Sequence, residues 1–208
     1  TTEKEMELFT SGEVDNKKIT AEVCVHHMHF NNSYYAELGN QIKCNPSIKM
    51  ESDRLALIDA LKGNKIDIIA TDHAPHTWDE KNQDYPSAPA GLPLVQHGLQ
   101  ILMDFYHEGI LSLEMIVEKT SHNVAKRFQI KDRGYIREGY YADLTVLDLG
   151  KPYEVSKENI LYKVGWSPFA GKTFNSSIFM TVVNGHIAFQ DGKVNDDIPL
   201  GMQIEFDR

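Results

Sequence analysis

One carboxylate and two imidazoles stand close together in Thr71-Asp72-His73-Ala74-Pro75-His76-Thr77. An aspartate and a histidine at this spacing can bind a divalent metal, relay a proton or hold a polar substrate. Asp72 alone cannot make a zinc site, which normally needs three or four ligands, so further donors would have to come from other segments. The plainer alternative is an aspartate that caps a turn or the next helix. Three other segments carry chemistry. Asn45, before Pro46, offers both a donor and an acceptor to a ring carbonyl or N–H, or forms an ordinary Asn-Pro turn. Pro89-Ala90-Gly91 is either a turn or a place where the backbone approaches a small ligand closely, as glycine permits. His26 and His27 close a strand-like run; neighbours on a strand point to opposite faces, so at most one faces a site, and a supporting role is expected.

The elements that must position these residues follow from the apolar pattern. Residues 66–71 suit a strand buried on both faces, with Asp72 just past its C-terminal end, where parallel α/β folds place their chemistry. Residues 20–27 suggest a second strand, and Leu55, Ile58 and Leu61 place a helix over 51–61 with Ser52 as its cap. Strand, helix, strand in this order is a parallel α/β unit. Residues 3–9 read as a helix end, 30–48 as loop, and 77–93 as a long proline- and glycine-rich loop of the kind that is either functional or disordered. Helices are expected over 94–107 and 112–128. His97 and His107 lie on the first of these as packing or surface groups, and nothing is assigned to His122 or His186.

Beyond residue 130 the texture changes to short strands at 134–136, 141–148 and 178–184, with Asn184-Gly185 and Asp191-Gly192 as hairpin turns. A boundary is expected there, giving units at 1–130 and 131–208. The net charge of −9 and the lack of a basic stripe argue against nucleic acid or anionic membrane as partners. No apolar run approaches the ~20 residues of a membrane span. Cys24 and Cys44 lie far apart and without metal-type spacing, which suits two free thiols in a cytoplasmic protein. The 208 residues include 41% hydrophobic ones, enough for a real core.

The run Thr71-Asp72-His73-Ala74-Pro75-His76-Thr77 with Glu80-Lys81 resembles the signature of dihydroorotases, in the amidohydrolase superfamily. Thr20-Ala21-Glu22-Val23 with His26-His27, Asn45-Pro46 with Lys49, and Ala88-Pro89-Ala90-Gly91 follow in that family's order. So do Gly139-Tyr140-Tyr141-Ala142-Asp143-Leu144, Ser167-Pro168-Phe169-Ala170-Gly171-Lys172 and Val182-Val183-Asn184-Gly185. The resemblance implies the C-terminal part of a (β/α)8 TIM-type barrel with a small β-sandwich unit. It implies a cytoplasmic, zinc-dependent hydrolase of pyrimidine biosynthesis that interconverts dihydroorotate and N-carbamoyl-aspartate, using one or two zinc ions. Asp72 would be metal ligand and general base toward the metal-bound water. His76 would meet the substrate's carboxylate or ring carbonyl, and Asn45 with the backbone at Ala90 and Gly91 would hold the ring.

This chain lacks the family's His-x-His pair, its bridging lysine (or aspartate) and two further histidine ligands. Gln96 stands where an acidic residue is often found, and Val25 replaces a proline. The expectation is therefore a C-terminal fragment, inactive alone, that works as a homodimer or in assembly with the rest of the barrel. A non-catalytic scaffold subunit of the same superfamily, or a hydantoinase or allantoinase, is the alternative.

Overall fold

The computed structural model describes residues 1–197 and 201–207; residues 198–200 and 208, inside the expected β unit, lie outside the described residues. Strands β1 (Glu22–Cys24) and β2 (Ile68–Ala70) run parallel, with Val23 opposite Ile69 and Cys24 opposite Ala70. The chain between them passes through α1 (Val25–His29), α2 (Tyr35–Leu38) and α3 (Glu51–Lys62). α3 buries Leu57, Ile58, Ala60 and Leu61 at helical spacing, and these meet Val23, Ile66 and Ile69 in the core. The expected strand–helix–strand unit is therefore present, with a shorter ladder than the apolar runs suggested.

The buried carboxylate of Asp67 fixes where β2 starts. It accepts from the Ala21 N–H (3.0 Å) and the Lys17 ammonium (2.7 Å), and the Asn123 amide donates to the Asp67 carbonyl (2.9 Å). Removing one partner of such a buried pair strands the other charge, so the register of β2 is strongly specified.

Several local expectations are corrected. The strand expected over 20–27 ends at Cys24, and His26 and His27 lie on α1 instead. Residues 30–48 are largely helical: the Asn31 side chain accepts from the Ser33 N–H (2.9 Å) and starts a 3-10 turn that leads into α2 and a second turn at Gly39–Ile42. Met50, not Ser52, occupies the cap of α3, where the Asp53 carboxylate accepts from the Met50 N–H (3.2 Å).

After β2 come α4 (Trp78–Lys81), α5 (Gly98–His107), α6 (Leu113–Val117) and α7 (Asn123–Phe128), the last two joined by a π-helical turn at Glu118–His122. The helix expected from residue 94 begins only at Gly98, because the His73 imidazole draws the Leu94 and Val95 N–H groups onto its Nδ1 (3.0 and 3.3 Å). Ser112 caps α6 by accepting from the Met115 N–H (3.2 Å).

Strands β3 (Leu144–Asp148), β4 (Tyr153–Glu154), β5 (Thr173–Phe174), β6 (Ser177–Val183), β7 (His186–Gln190) and β8 (Lys193–Val194) complete the fold. One antiparallel sheet has the order β3-β6-β7-β8, and β4 pairs with β5. Both expected hairpin turns form, with φ of 51° and 83° at Asn184-Gly185 and 49° and 80° at Asp191-Gly192; two successive positive φ values are what the tight hairpin turn requires. The strand expected at 134–136 is absent. Gly134 turns the chain with φ of 82°, Tyr135 stacks on His122 at 4.2 Å, and Ile136 is 89% exposed, so nothing buries a strand there. Phe169 and Phe174 from the later segment join Met28, Phe30 and Leu102 in the same core, with Phe169 stacked on Phe30 at 5.4 Å. Among the described residues no helix is long and apolar enough to cross a membrane.

Candidate active site around Asp72

β2 ends at Ala70, and Asp72 follows with φ of 49°, a left-handed conformation that aspartate tolerates better than most residues. Its exposed carboxylate makes no hydrogen bond among the described residues. It lines a cavity of about 640 Å³ together with Asn45, Pro46, Cys24, His27 and the N-terminal segment at Thr1 and Glu5. The structure thus brings Asp72 and Asn45 to one space.

Cys24 and His27 were not assigned to that space by the sequence. α1 turns adjacent residues by about 100° rather than the strand's 180°, so the His26 and His27 rings lie together at 4.1 Å. The His27 Nε2–H donates to the Pro46 carbonyl (2.9 Å), to which the Cys44 thiol also donates (3.1 Å). Burial keeps both imidazoles neutral, taking His26 down to about 3. Burial, helped by the nearby Asp72 charge, pushes the Cys24 thiol up to about 12.

His76, Ala90 and Gly91 form a second group, joined to one another but outside the wall of that cavity. His76 Nε2–H donates to the Ala90 carbonyl (3.1 Å). Gly91 has φ of 137°, and a Cβ there would lie 2.4 Å from the Ala74 carbonyl oxygen. Thr77 and Glu80 close a capping box on α4, the hydroxyl accepting from the Glu80 N–H and the carboxylate from the Thr77 N–H. That box places Lys81 one turn further, pointing inward. Lys81 is only 1% exposed and donates to the carbonyls of Lys43 (3.0 Å), Pro89 (2.9 Å) and Gly91 (2.9 Å). Burial draws its ammonium down to about 8, and the nearby Cys44 works against that shift. Trp166 Nε1–H donates to the His76 carbonyl (2.8 Å), tying the later segment to the same loop.

His73, despite its place beside Asp72, is occupied as an acceptor for two backbone N–H groups and stacks on Tyr162 at 5.4 Å. His97, expected to be a packing or surface group, is fully buried against Phe174.

This architecture matches a known family. The model of the amidohydrolase family matches residues 4–188. The chain belongs to the amidohydrolase family. Among curated proteins it is 36% identical over 186 residues to a dihydroorotase of Endomicrobium trichonymphae, covering 89% of this chain and 44% of that protein. A dihydroorotase of Clostridium acetobutylicum is 36% identical over 174 residues, covering 83% of this chain and 41% of the relative. The chain thus spans less than half the length of these relatives. Among solved structures, an L-hydantoinase (dihydropyrimidinase) from Arthrobacter aurescens superposes with a TM-score of 0.85 at 24% identity, over 93% of this chain and 44% of that one. A D-hydantoinase (dihydropyrimidinase) from Thermus gives 0.75 at 23% identity, over 85% and 40%. The fold is that of the C-terminal part of a TIM-type barrel with a small β-sandwich unit.

Proposed function

We propose that this chain is the Asp72-bearing part of a zinc-dependent dihydroorotase, which hydrolyses the cyclic amide of dihydroorotate to N-carbamoyl-aspartate and catalyses the reverse closure. One observation carries the reading: an exposed carboxylate with no hydrogen bond among the described residues sits past a buried parallel strand and shares a cavity with the Asn45 amide. Identity to dihydroorotases over most of the chain supports the substrate class.

A carboxylate oxygen without a hydrogen-bond partner and open to a cavity is a suitable zinc donor, and Asp72 fits that requirement. Zinc normally takes three or four donors, so Asp72 is one of a larger set. When bound, the ion supplies Lewis acidity to the amide carbonyl under attack. Asp72 accepts a proton as the water oxygen adds to the carbonyl carbon. It returns that proton to the ring nitrogen as the C–N bond breaks, leaving a carboxylate and a ureido group. The Asn45 amide meets the ring with one donor and one acceptor. His76 meets the substrate's carboxylate or ring carbonyl with its Nε2–H, the donor that the Ala90 carbonyl otherwise holds (3.1 Å), and the backbone at Ala90 and Gly91 supports the ring. In the same reading residues 1–130 belong to the barrel and 131–208 to the β unit, the site being completed by a second copy or the rest of the barrel.

Asp72→Asn in the full-length protein is expected to lower dihydroorotate turnover by about 100-fold or more without altering the circular dichroism. Near-normal turnover would remove Asp72 as the base. Parallel assays with dihydrouracil and allantoin decide the substrate class: preferential turnover of either would replace dihydroorotate by a hydantoinase or allantoinase substrate.

A further inference from the structure

Cys24, His26 and His27 bring one thiol and two imidazoles together so that a ligand atom from each lies within 4.8 Å of the others. The two histidines differ in an informative way. His26 is fully buried, and neither of its ring nitrogens has a hydrogen-bond partner. Burying such a polar ring without a well-formed partner is unfavourable, and the nearby Thr71 backbone offsets this only in part. His27 has one nitrogen engaged: its Nε2–H donates to the Pro46 carbonyl (2.9 Å), which leaves the lone pair on Nδ1. An imidazole whose far N–H is held by a backbone carbonyl is the arrangement that orients metal-bound histidines. Cys24 and His27 also line the cavity that holds Asp72 and Asn45. That opening gives an ion a path in and leaves room for a further donor.

We infer that Cys24, His26 and His27 form a site for a divalent metal ion, with one thiolate and two imidazole donors. This donor set suits zinc or an ion of similar softness and does not suit calcium or magnesium, which take oxygen donors. Binding deprotonates the thiol: the S–H bond breaks, its proton leaves to solvent, and the sulfur lone pair forms the bond to the metal, with no change of oxidation state. The histidines enter as neutral rings. Asp72 faces the same cavity but is not in this donor set, so the site does not depend on Asp72 being the catalytic base.

Cobalt(II) reports thiolate ligation directly. The full-length protein, stripped of metal and titrated with Co²⁺, is expected to develop a thiolate-to-cobalt charge-transfer band in the near ultraviolet. The band should vanish in Cys24→Ser and persist in both Cys44→Ser and Asp72→Asn. In His26→Gln the Co²⁺ affinity should fall at least about tenfold. A wild-type protein without the band, a band that survives Cys24→Ser, or one lost in Asp72→Asn would overturn the proposal. Should His26→Gln fail to fold, the Cys24→Ser and Cys44→Ser pair still decides it. Because the readout is spectroscopic, it stands apart from the dihydroorotate assay: loss of turnover in Asp72→Asn with the cobalt band intact would uphold both readings separately.

Discussion

The Lys81 ammonium lies 2.9 Å from the Gly91 carbonyl oxygen, ten residues further along the chain. With its bonds to the Lys43 and Pro89 carbonyls, it closes the intervening loop against the segment that leads to Asn45. The two stretches proposed to hold the ring are thereby held by one cation. A short helix with a capping box delivers that cation, and its burial makes each of its three bonds matter more than a surface contact would.

Lys81→Met keeps the apolar stem and removes all three bonds, leaving buried carbonyls short of a donor. The expected loss of stability is at least about 2 kcal/mol. Asp79→Asn, on the exposed side of the same helix, should change stability by less than about 0.5 kcal/mol. Urea unfolding of the three proteins at neutral pH compares them. Equal midpoints for Lys81→Met and the parent would show that the loop is held by something else.

Gly91→Ala meets two separate penalties. The φ of 137° is one that side chains rarely adopt, worth about 1–3 kcal/mol. The new methyl would also sit 2.4 Å from the Ala74 carbonyl oxygen and 2.9 Å from the Ala74 Cβ. Gly109→Ala, at φ of 70° with no atom near its Cβ position, meets only a backbone penalty. On the proposed dihydroorotase reading, Gly91→Ala in the full-length protein is expected to raise KM for dihydroorotate more than it lowers kcat, while Gly109→Ala leaves both near the parent values. If Gly109→Ala raised KM as much as Gly91→Ala, close backbone approach at Gly91 would not be what the site needs.

These features differ in how far the sequence disclosed them. Asp72 was legible because an apolar run, a carboxylate and a proline are neighbours in sequence, and parallel strands place chemistry at that end. The hairpin turns at Asn184 and Asp191 were legible for the same local reason. Lys81 was not: a lysine one turn into a polar helix looks solvated, and its partners are backbone carbonyls, which have no side-chain signature. The cluster at Cys24 was hidden by a periodicity error. Read as strand, residues 24–27 send His26 and His27 to opposite faces; a strand that stops at Cys24 and turns helical brings them together. The absent strand at 134–136 shows the converse, since Ile136 has the right type but no neighbour to bury it.

Trp166 joins the later segment to the Asp72 loop through a single bond from its indole N–H to the His76 carbonyl, and its ring packs edge-on against Trp78 at 5.8 Å. Trp166→Phe retains most of the ring packing and removes the donor. A loss of about 1 kcal/mol in stability is expected. Hydrogen exchange should also quicken at the backbone amides of residues 76–80, because the loop loses one of its tethers to the later segment. Unchanged exchange there would mean that the capping box at Thr77 and the remaining contacts hold the loop without it.

His97 contributes, with the buried His26 and His27 and the half-buried His29, to the acid sensitivity expected of the fold. Burial holds the His97 imidazole down to about 4, against 6.5 for the free side chain, and Nδ1 shares hydrogen bonds with the Tyr162 and Ser167 hydroxyls (3.3 and 3.2 Å). Between these two pH values the unfolded chain binds a proton that the folded chain refuses. The stability contributed by neutral His97 is therefore complete above about pH 6.5 and is lost as pH falls toward 4, by at most about 1.4 kcal/mol per pH unit. His97→Gln keeps an acceptor for the two hydroxyls and cannot titrate, so its stability should fall less steeply across that window. Urea midpoints of both proteins from pH 7 to 4 measure the difference, and the remaining titrations cancel between them. Parallel curves would show that His97 does not contribute to the acid sensitivity.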